Sequence, residues 1–355
     1  MTELRSHAPY LEWAKKRPSP RFDLAGSNVL ACSIEDIEGA RDALQLTGHN
    51  DNGYGPLVDA IAARYGVSSD RVTTANGASG ANFQVCAALV APGDDVLVER
   101  PGYDPLLGAT VVRFERRFED GYALDPDRVA HAITPRTKLI IVTTPHNPSG
   151  VMATRESLEA VGRLAERTGA HVLVDEVYLD AADVTSRPAA HLGDVFISTS
   201  SLTKSYGLAG LRCGWTISSP ALAERIRRAR DVIDGTGSIA AERLAVLAFA
   251  QLQRLAARAA SLVETNAGLV RTFLRGRRDL EVVLPRVSTV LFPRLKGVDD
   301  TSAFADRLLT ERGTAIVPGR FFEAPGHFRL GFGTSPDVVR GGLEQLSAAL
   351  DERGR

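Results

Sequence analysis

Short β-branched runs alternate with amphipathic stretches from about residue 55 to residue 235 of this 355-residue chain. This alternation is typical of parallel strands that are joined by crossover helices. The candidate strands are RVTTA (71–75), DDVLVE (94–99), TVVRFE (110–115), KLIIVTT (138–144), HVLVDEV (171–177), DVFISTS (194–200) and RCGWTIS (212–218). We therefore predict an α/β fold built on a mostly parallel sheet of about seven strands.

Two further patterns complete the predicted architecture. Residues 154–169 show apolar side chains at helical spacing, with Thr154 as an N-cap and Gly169 at the end. After residue 238 the chain is rich in Ala, Leu and Arg and nearly free of helix breakers, which predicts one or two long helices followed by a smaller α+β unit. We expect a large domain over 45–240 and a small domain formed by 1–44 and 241–355.

The charge balance favours a small-molecule ligand. A formal net charge of −1 gives no concentrated basic field, so neither nucleic acid nor an anionic membrane is an expected partner. The first residues do not resemble a secretory signal, and no apolar run of about 18 residues could span a membrane. The three cysteines form no C-x-x-C pair, as expected for reduced thiols, and we predict a cytoplasmic protein.

Polar side chains follow three of the predicted strands. Asn147 comes after KLIIVTT, Asp175 and Tyr178 stand at the end of HVLVDEV, and Lys204 follows DVFISTS. Since ligands of open parallel sheets bind beyond the carboxyl ends of the strands, we expect these groups to meet at one edge. An amine and a carboxylate at one site suit pyridoxal phosphate, which needs a lysine Schiff base and an acidic partner for its ring nitrogen.

The phosphate of such a cofactor also has a predicted binding site. The segment 73–90 passes from a strand through small residues into an apolar helix, so free N–H groups near Ala78 and Ser79 can hold an anion. Arg212 can add a forked, charge-assisted contact and Ser201 a hydroxyl. Each feature alone is more often a surface arginine or a tight turn, and only the combination indicates a phosphate.

Motifs that follow one another in family order from about residue 45 to residue 335 resemble the class I/II aminotransferases, which are pyridoxal phosphate enzymes of fold type I. PHNPSG is similar to the family loop whose asparagine bonds the cofactor phenolate oxygen, which is Asn147 here. DEVY resembles the segment whose aspartate pairs with the pyridine nitrogen and whose tyrosine reaches the phenolate oxygen. The resemblance therefore implies that Asp175 and Tyr178 have these roles.

The lysine motif SSLTKSYGLAGLRCGW is the most specific match. It resembles the family signature in which the lysine forms the Schiff base and acts as general base, which implies Lys204. It also implies that Ser201 and Arg212 bind the phosphate. NGASGAN resembles the phosphate loop, which contributes Gly77, Ala78 and Ser79.

Three less specific matches concern the cofactor ring, the substrate and the partner subunit. RPGYDP places Tyr103 where the family stacks an aromatic ring on the cofactor, and HFRLGFG places Arg329, with Asn147, where it holds the substrate α-carboxylate. Tyr54 resembles the tyrosine that reaches the phosphate of the neighbouring subunit, so the resemblance implies a homodimer. The segment FDLAGSNVLACSIEDI follows the family only loosely, which leaves the substrate side open.

The reaction type is less determined than the cofactor. Transamination is the commonest outcome on this scaffold and is our expectation, but C–S β-elimination and cyclisation or oxidation of an amino acid begin with the same α-proton removal. A G-x-G-x-x-A pattern at Gly235, Gly237 and Ala240 leaves an NAD-dependent oxidoreductase as a remote alternative. The seven histidines show no ligand spacing, so we expect no metal site.

Overall fold

The computed structural model describes residues 8–102, 110–182 and 187–353. In these ranges the α-helices are α1 (Pro9–Lys16), α2 (Ala40–Ala43), α3 (Gly55–Tyr65), α4 (Gly77–Leu89), α5 (Pro126–Ala132), α6 (Arg155–Thr168), α7 (Leu179–Ala182), α8 (Leu202–Tyr206), α9 (Pro220–Ile233), α10 (Ile239–Ala250), α11 (Leu252–Arg275), α12 (Ser302–Arg312) and α13 (Pro336–Arg353). The strands are β1 (Phe22–Asp23), β2 (Val72–Asn76), β3 (Asp95–Arg100), β4 (Thr110–Glu115), β5 (Thr137–Thr143), β6 (His171–Asp175), β7 (Phe196–Ser201), β8 (Cys213–Ile217), β9 (Leu280–Glu281), β10 (Val290–Leu291), β11 (Arg294–Leu295), β12 (Thr314–Ala315), β13 (Val317–Pro318) and β14 (Phe328–Gly331).

The central sheet has seven strands in the order β2-β8-β7-β6-β5-β3-β4. All neighbours are parallel except β8, which runs antiparallel to both β2 and β7. Each predicted strand of this sheet is therefore confirmed to within about two residues. The carboxyl ends of β5, β6 and β7 lie side by side, and β2 ends at the same edge because its two antiparallel steps through β8 leave it parallel to β7.

The strands at the centre of the sheet are apolar throughout because both faces are covered. Leu139 and Ile141 of β5 pack into one core cluster with residues of α4 and α9, whereas Ile140 and Val142 pack into another with residues of α6. Successive side chains of a strand point to opposite faces, so a strand that is buried on both sides needs a continuous apolar run. This requirement explains why these strands can be recognised from sequence.

A third core cluster lies outside the sheet. Helices α11, α12 and α13 contribute Val270, Leu308 and Leu346, and the N-terminal segment contributes Leu24. The N-terminal segment joins this unit through β1, which pairs parallel with β12. Helix α10, in contrast, packs on α3 with Ala245 in the cluster around Trp215 of the sheet. The domain division at residues 45 and 240 stays a prediction.

The chain around Gly235 does not form a dinucleotide-binding turn. The two glycines of the G-x-G-x-x-A pattern follow helix α9 and precede helix α10, whereas the nucleotide fingerprint requires a strand before the turn. The remote oxidoreductase alternative therefore loses its structural basis. None of the helices that the structure describes is long and apolar enough to cross a membrane.

Helix α6 begins and ends where the sequence predicts. The Thr154 side chain accepts a hydrogen bond from the backbone N–H of Ser157, and Gly169 takes the left-handed conformation after the last turn. We expect Thr154→Ala to lower the free energy of unfolding by about 1 kcal/mol, because the exposed N–H groups of the first turn lose their acceptor. Urea unfolding followed by circular dichroism measures this change.

The matched control is Thr272→Ala at an exposed position near the C-terminal end of α11, where the hydroxyl bonds to the carbonyl of Gly268. Alanine favours the helix interior, so this variant should be as stable as the original protein or slightly more stable. Equal unfolding midpoints for Thr154→Ala and Thr272→Ala would show that the cap does not stabilise α6.

Candidate active site

A cavity of about 910 Å³ opens at the edge where β5, β6 and β7 end. Nine of the residues predicted for the site line it: Ala78, Ser79, Asn147, Asp175, Tyr178, Ser201, Lys204, Arg212 and Arg329. The topology accounts for this convergence, since the segments that follow neighbouring parallel strands emerge at the same edge. Groups that are more than a hundred residues apart in the chain thus face one space.

Lys204 lies in the short helix α8 and is half-buried, with its remaining exposed surface toward the cavity. Its amine donates a hydrogen bond to Ser27 Oγ at 2.8 Å and forms no ion pair with any residue that the structure describes. Burial, together with the charges of Arg329 and Arg212, lowers the pKa of Lys204 to about 7, although the charge of Asp175 acts in the opposite direction. A substantial fraction of the amine is therefore neutral and nucleophilic near neutral pH.

Asp175, the last residue of β6, is held from two sides. Asn82 of α4 donates to Asp175 Oδ2 at 2.8 Å, and the backbone N–H of Val177 donates to Oδ1 at 3.1 Å. Thr199 donates to Asn82 Oδ1 at 2.6 Å, which orients the amide. Burial raises the pKa of Asp175, whereas these hydrogen bonds and the charge of Lys204 lower it. The carboxylate thus has a fixed direction.

Arg329 of β14 is almost fully buried at 1% exposure and has no carboxylate partner among the described residues. Its guanidinium donates to Asn147 Oδ1 at 2.9 Å, to the hydroxyl of Tyr10 at 2.7 Å and to the carbonyl of Ala25 at 2.9 Å. Its Nε has no hydrogen-bond partner in the same ranges. A buried cation without an anion is costly unless a ligand supplies the negative charge, so this residue suits a carboxylate ligand.

Another part of the cavity wall combines a helix N-terminus with a second cation that has no ion pair in the described chain. No side chain caps α4, whose first turn contains Gly77, Ala78 and Ser79. Gly77 has φ +72°, and a Cβ there would overlap the guanidinium of Arg212. Arg212 itself has φ +47° and donates only to backbone carbonyls at 3.3 Å in the described chain. The arrangement leaves its charge free for an anion.

The loop after β5 is fixed by buried polar contacts. His146 is fully buried, with Nδ1 at 2.6 Å from Ser149 Oγ and Nε2 at 2.8 Å from the carbonyl of Pro101. Burial lowers the pKa of His146 well below its usual range, so the ring is neutral. His146 therefore supports the loop that carries Asn147 and does not face the cavity, which is consistent with its absence from the predicted site.

Among the described residues, Tyr54 and Gly77 were predicted for the site but do not line this cavity. Tyr54 precedes α3, donates its backbone N–H to Glu242 and packs its ring under Arg243 at 5.5 Å. Tyr103 falls between the described ranges 8–102 and 110–182. Gly77 borders the site through its contact with Arg212 and is not part of the cavity wall.

The cavity also contains polar residues that sequence reasoning missed, among them Tyr10, Ser27, Asn82 and Thr203. Asn82 stands four residues after Ala78 in α4, so helical spacing could have placed it on the same face. Thr203 lies within the lysine motif, and its Oγ1 is buried without a partner in the described chain. No local pattern marks Tyr10 or Ser27, because both reach the site only through the packing of the N-terminal segment.

These residues fit pyridoxal phosphate. The uncapped helix, the unpaired Arg212 and the orphaned hydroxyl of Thr203 form a cradle for a phosphate, and Asp175 is rigidly directed toward the same space. The amine of Lys204 lies in the same cavity, with the ring of Tyr178 at 5.8 Å. An unpaired arginine remains at the far side for a substrate carboxylate.

Comparison with known proteins agrees with this geometry. Residues 25–346 match the model of the family described as aminotransferase class I and II. Capreomycidine synthase of Streptomyces vinaceus is 29% identical over 98% of this chain and 95% of its own length. A pyridoxal phosphate-dependent aminotransferase from Streptococcus suis superposes with a TM-score of 0.92 at 27% identity and covers 99% of both chains.

A second solved structure belongs to an enzyme with a different activity. The pyridoxal phosphate-dependent cyclase OrfR superposes with a TM-score of 0.87 at 29% identity and also covers 99% of both chains. The predicted fold type and cofactor are confirmed by these matches. The chain therefore belongs to the class I and II aminotransferases, the pyridoxal phosphate-dependent enzymes of fold type I.

Proposed function

We propose that this protein transfers an amino group between an L-amino acid and a 2-keto acid, with Lys204 as the covalent anchor of pyridoxal phosphate. The observation that carries the proposal is the desolvated amine of Lys204, which has a pKa of about 7 and shares its cavity with Asp175 and the unpaired Arg329. When bound, the cofactor supplies a carbonyl group for the amino group and a ring that accepts electrons from the substrate Cα.

The side chains at the centre of the site have different proposed roles in proton transfer. Lys204 would hold the cofactor, and its neutral Nζ would be the base that takes the proton from the substrate Cα. The carboxylate of Asp175 keeps the ring nitrogen protonated, and Asn82 and Val177 keep that carboxylate directed. Asn147 accepts from Arg329 through Oδ1, so its Nδ2 and the hydroxyl of Tyr178 would be free to donate to the phenolate oxygen of the cofactor.

The two ends of the cavity bind the two anions. The N–H groups of Gly77, Ala78 and Ser79, the hydroxyl of Ser201 and the guanidinium of Arg212 hold the phosphate. Arg329, supported by Asn147, holds the substrate α-carboxylate. A stacking role for Tyr103 rests on its sequence motif alone.

We further propose a homodimer in the cytoplasm. Tyr54 lies outside the cavity of its own chain, which supports a role at the site of a second copy. The three cysteines are unpaired, as in a reducing compartment.

A cyclase is the second candidate function. The superposition with OrfR covers 99% of both chains, so neither chain has a large segment that the other lacks. Cyclisation and transamination share the removal of the Cα proton by Lys204 and differ in the later steps.

The proposed reaction is tested by incubating the holoenzyme with single L-amino acids, with and without pyruvate or 2-oxoglutarate as acceptor. We expect one amino acid to give its keto acid and an equal amount of aminated acceptor, with no net product when the acceptor is omitted. A cyclised product without an acceptor would support the cyclase instead. Ammonia and pyruvate formed without an acceptor would indicate β-elimination and contradict transamination.

The pKa of Lys204 predicts how the apoenzyme captures its cofactor. Only the neutral amine attacks a carbonyl, and because burial lowers this pKa to about 7, the capture rate should rise about tenfold per pH unit up to pH 7 and then level off. Stopped-flow absorbance after addition of pyridoxal phosphate measures the rate. Lys204→Ala should abolish covalent capture, whereas the control Lys296→Ala, at an exposed position, should not. If the inflection of the pH profile lies near the ordinary lysine pKa of 10.5, the desolvation argument is wrong.

Arg329→Lys should mainly raise KM. Lysine keeps the charge but loses the forked contact, and the loss of a charged hydrogen bond weakens carboxylate binding by about 10- to 100-fold. Steady-state kinetics with the best amino donor measure KM and kcat separately. The control is the exposed Arg320→Lys, which lies outside the cavity. Unchanged kinetics in Arg329→Lys would remove this residue from the substrate site.

A further inference from the structure

A hydroxyl group from the N-terminal segment contacts the amine of Lys204. Ser27 Oγ accepts the hydrogen bond from Nζ at 2.8 Å, although the two residues are 177 positions apart. Ser27 is only 5% exposed. In the described chain this is the only hydrogen bond of the Lys204 side chain, so Ser27 alone fixes the direction of the amine.

The position of Ser27 is set by backbone contacts on both sides. Leu24 bonds through its N–H to Ala315 and through its carbonyl to Gly331, so the segment lies between β12 and β14. The hydroxyl of Thr289 donates to the carbonyl of Ser27 at 3.0 Å. A Cβ at Gly331 would overlap the carbonyl of Gly26, which shows how closely the two backbones approach. Ser27 is therefore held by the fold and not by a surface loop.

Ser27 also faces Tyr178. Burial is the main reason that the pKa of the Tyr178 phenol is raised to about 12, although the charge of Arg329 and a hydrogen bond from Ser27 both act to lower it. A hydroxyl can accept one hydrogen bond and donate another at the same time. When the Ser27 hydroxyl donates its hydrogen to the Tyr178 oxygen, the lone pairs of Ser27 Oγ can still accept a hydrogen bond from Lys204 Nζ. The hydrogen bonds then run from Lys204 to Ser27 and from Ser27 to Tyr178.

We propose that Ser27 is a positioning residue that orients the amine of Lys204 by accepting a hydrogen bond from Nζ. With one N–H directed at Ser27, the nitrogen lone pair of the neutral amine has a restricted direction, which favours attack and proton removal. The proposal rests on the proposed function of Lys204. It also implies that the N-terminal segment supports the chemistry, because Ser27 belongs to the segment that pairs with β12.

The test measures covalent capture of pyridoxal phosphate by the apoenzyme between pH 5 and pH 9, without turnover. We expect Ser27→Ala to lower the plateau rate about tenfold, the effect of one lost hydrogen bond. The inflection should move below pH 7, since the ammonium loses an acceptor while Asp175, Arg329, Arg212 and Tyr178 still face it. Ser27→Thr keeps the hydroxyl and should recover most of the rate.

Ser205→Ala is the matched control, because Ser205 is buried beside Lys204 but donates to the carbonyl of Val177. It should leave rate and inflection unchanged. If Ser27→Ala does not fold, as judged by circular dichroism, Ser27→Cys replaces it, since a thiol of similar size is a weak acceptor. Folded Ser27→Ala or Ser27→Cys with the original rate and inflection would overturn the proposal.

Lys204→Ala separates this failure from failure of the proposed function. Covalent capture that persists without Lys204 would reject the role of that lysine. Loss of capture in Lys204→Ala, together with unchanged capture in the Ser27 variants, would reject only the role of Ser27.

Discussion

The chemistry proposed for the site depends on the burial of one amine, that of Lys204, which lowers its pKa. Lys204 cannot be both a nucleophile near neutral pH and a partner of an adjacent carboxylate, because an ion pair would keep it protonated. The chain meets this condition by burying the amine, placing Arg329 near it and giving it a neutral hydroxyl at Ser27. Asp175 favours the charged form and limits the shift, so both protonation states are accessible.

The same cavity contains two cations that the described chain leaves without ion pairs. Arg212 lies at the end of the cavity beside the N-terminus of α4, and Arg329 lies at the other end beside Asn147 and Tyr10. Uncompensated guanidinium groups raise the free energy of the empty protein and are offset when anions bind. The proposed phosphate and substrate carboxylate are thereby assigned to two different arginines of one cavity.

Much of the fold and part of the site could be predicted from sequence. Strands β5 and β6 were recognisable because burial on both faces demands continuous apolar runs, and Asn147, Asp175 and Lys204 were found because polar residues follow such runs directly. The antiparallel position of β8 between β2 and β7 could not be predicted, since a buried antiparallel strand has the same apolar pattern as a parallel one. Asn82 was missed although its helical spacing from Ala78 places it on the same face of α4, because the hydrogen bond to Asp175 depends on how α4 packs on the sheet.

The amino-acid sequence by itself determined the strands and the cofactor, and it predicted the lysine for the Schiff base, because strands and motifs are short residue patterns that can be read along the chain. Only the tertiary structure decided which groups touch that lysine. Ser27 meets Lys204 across 177 residues, and Tyr10 meets Arg329 from the first described helix. Such contacts depend on how β1 pairs with β12 and how β14 packs beside it, and local periodicity contains no information about pairing at that distance.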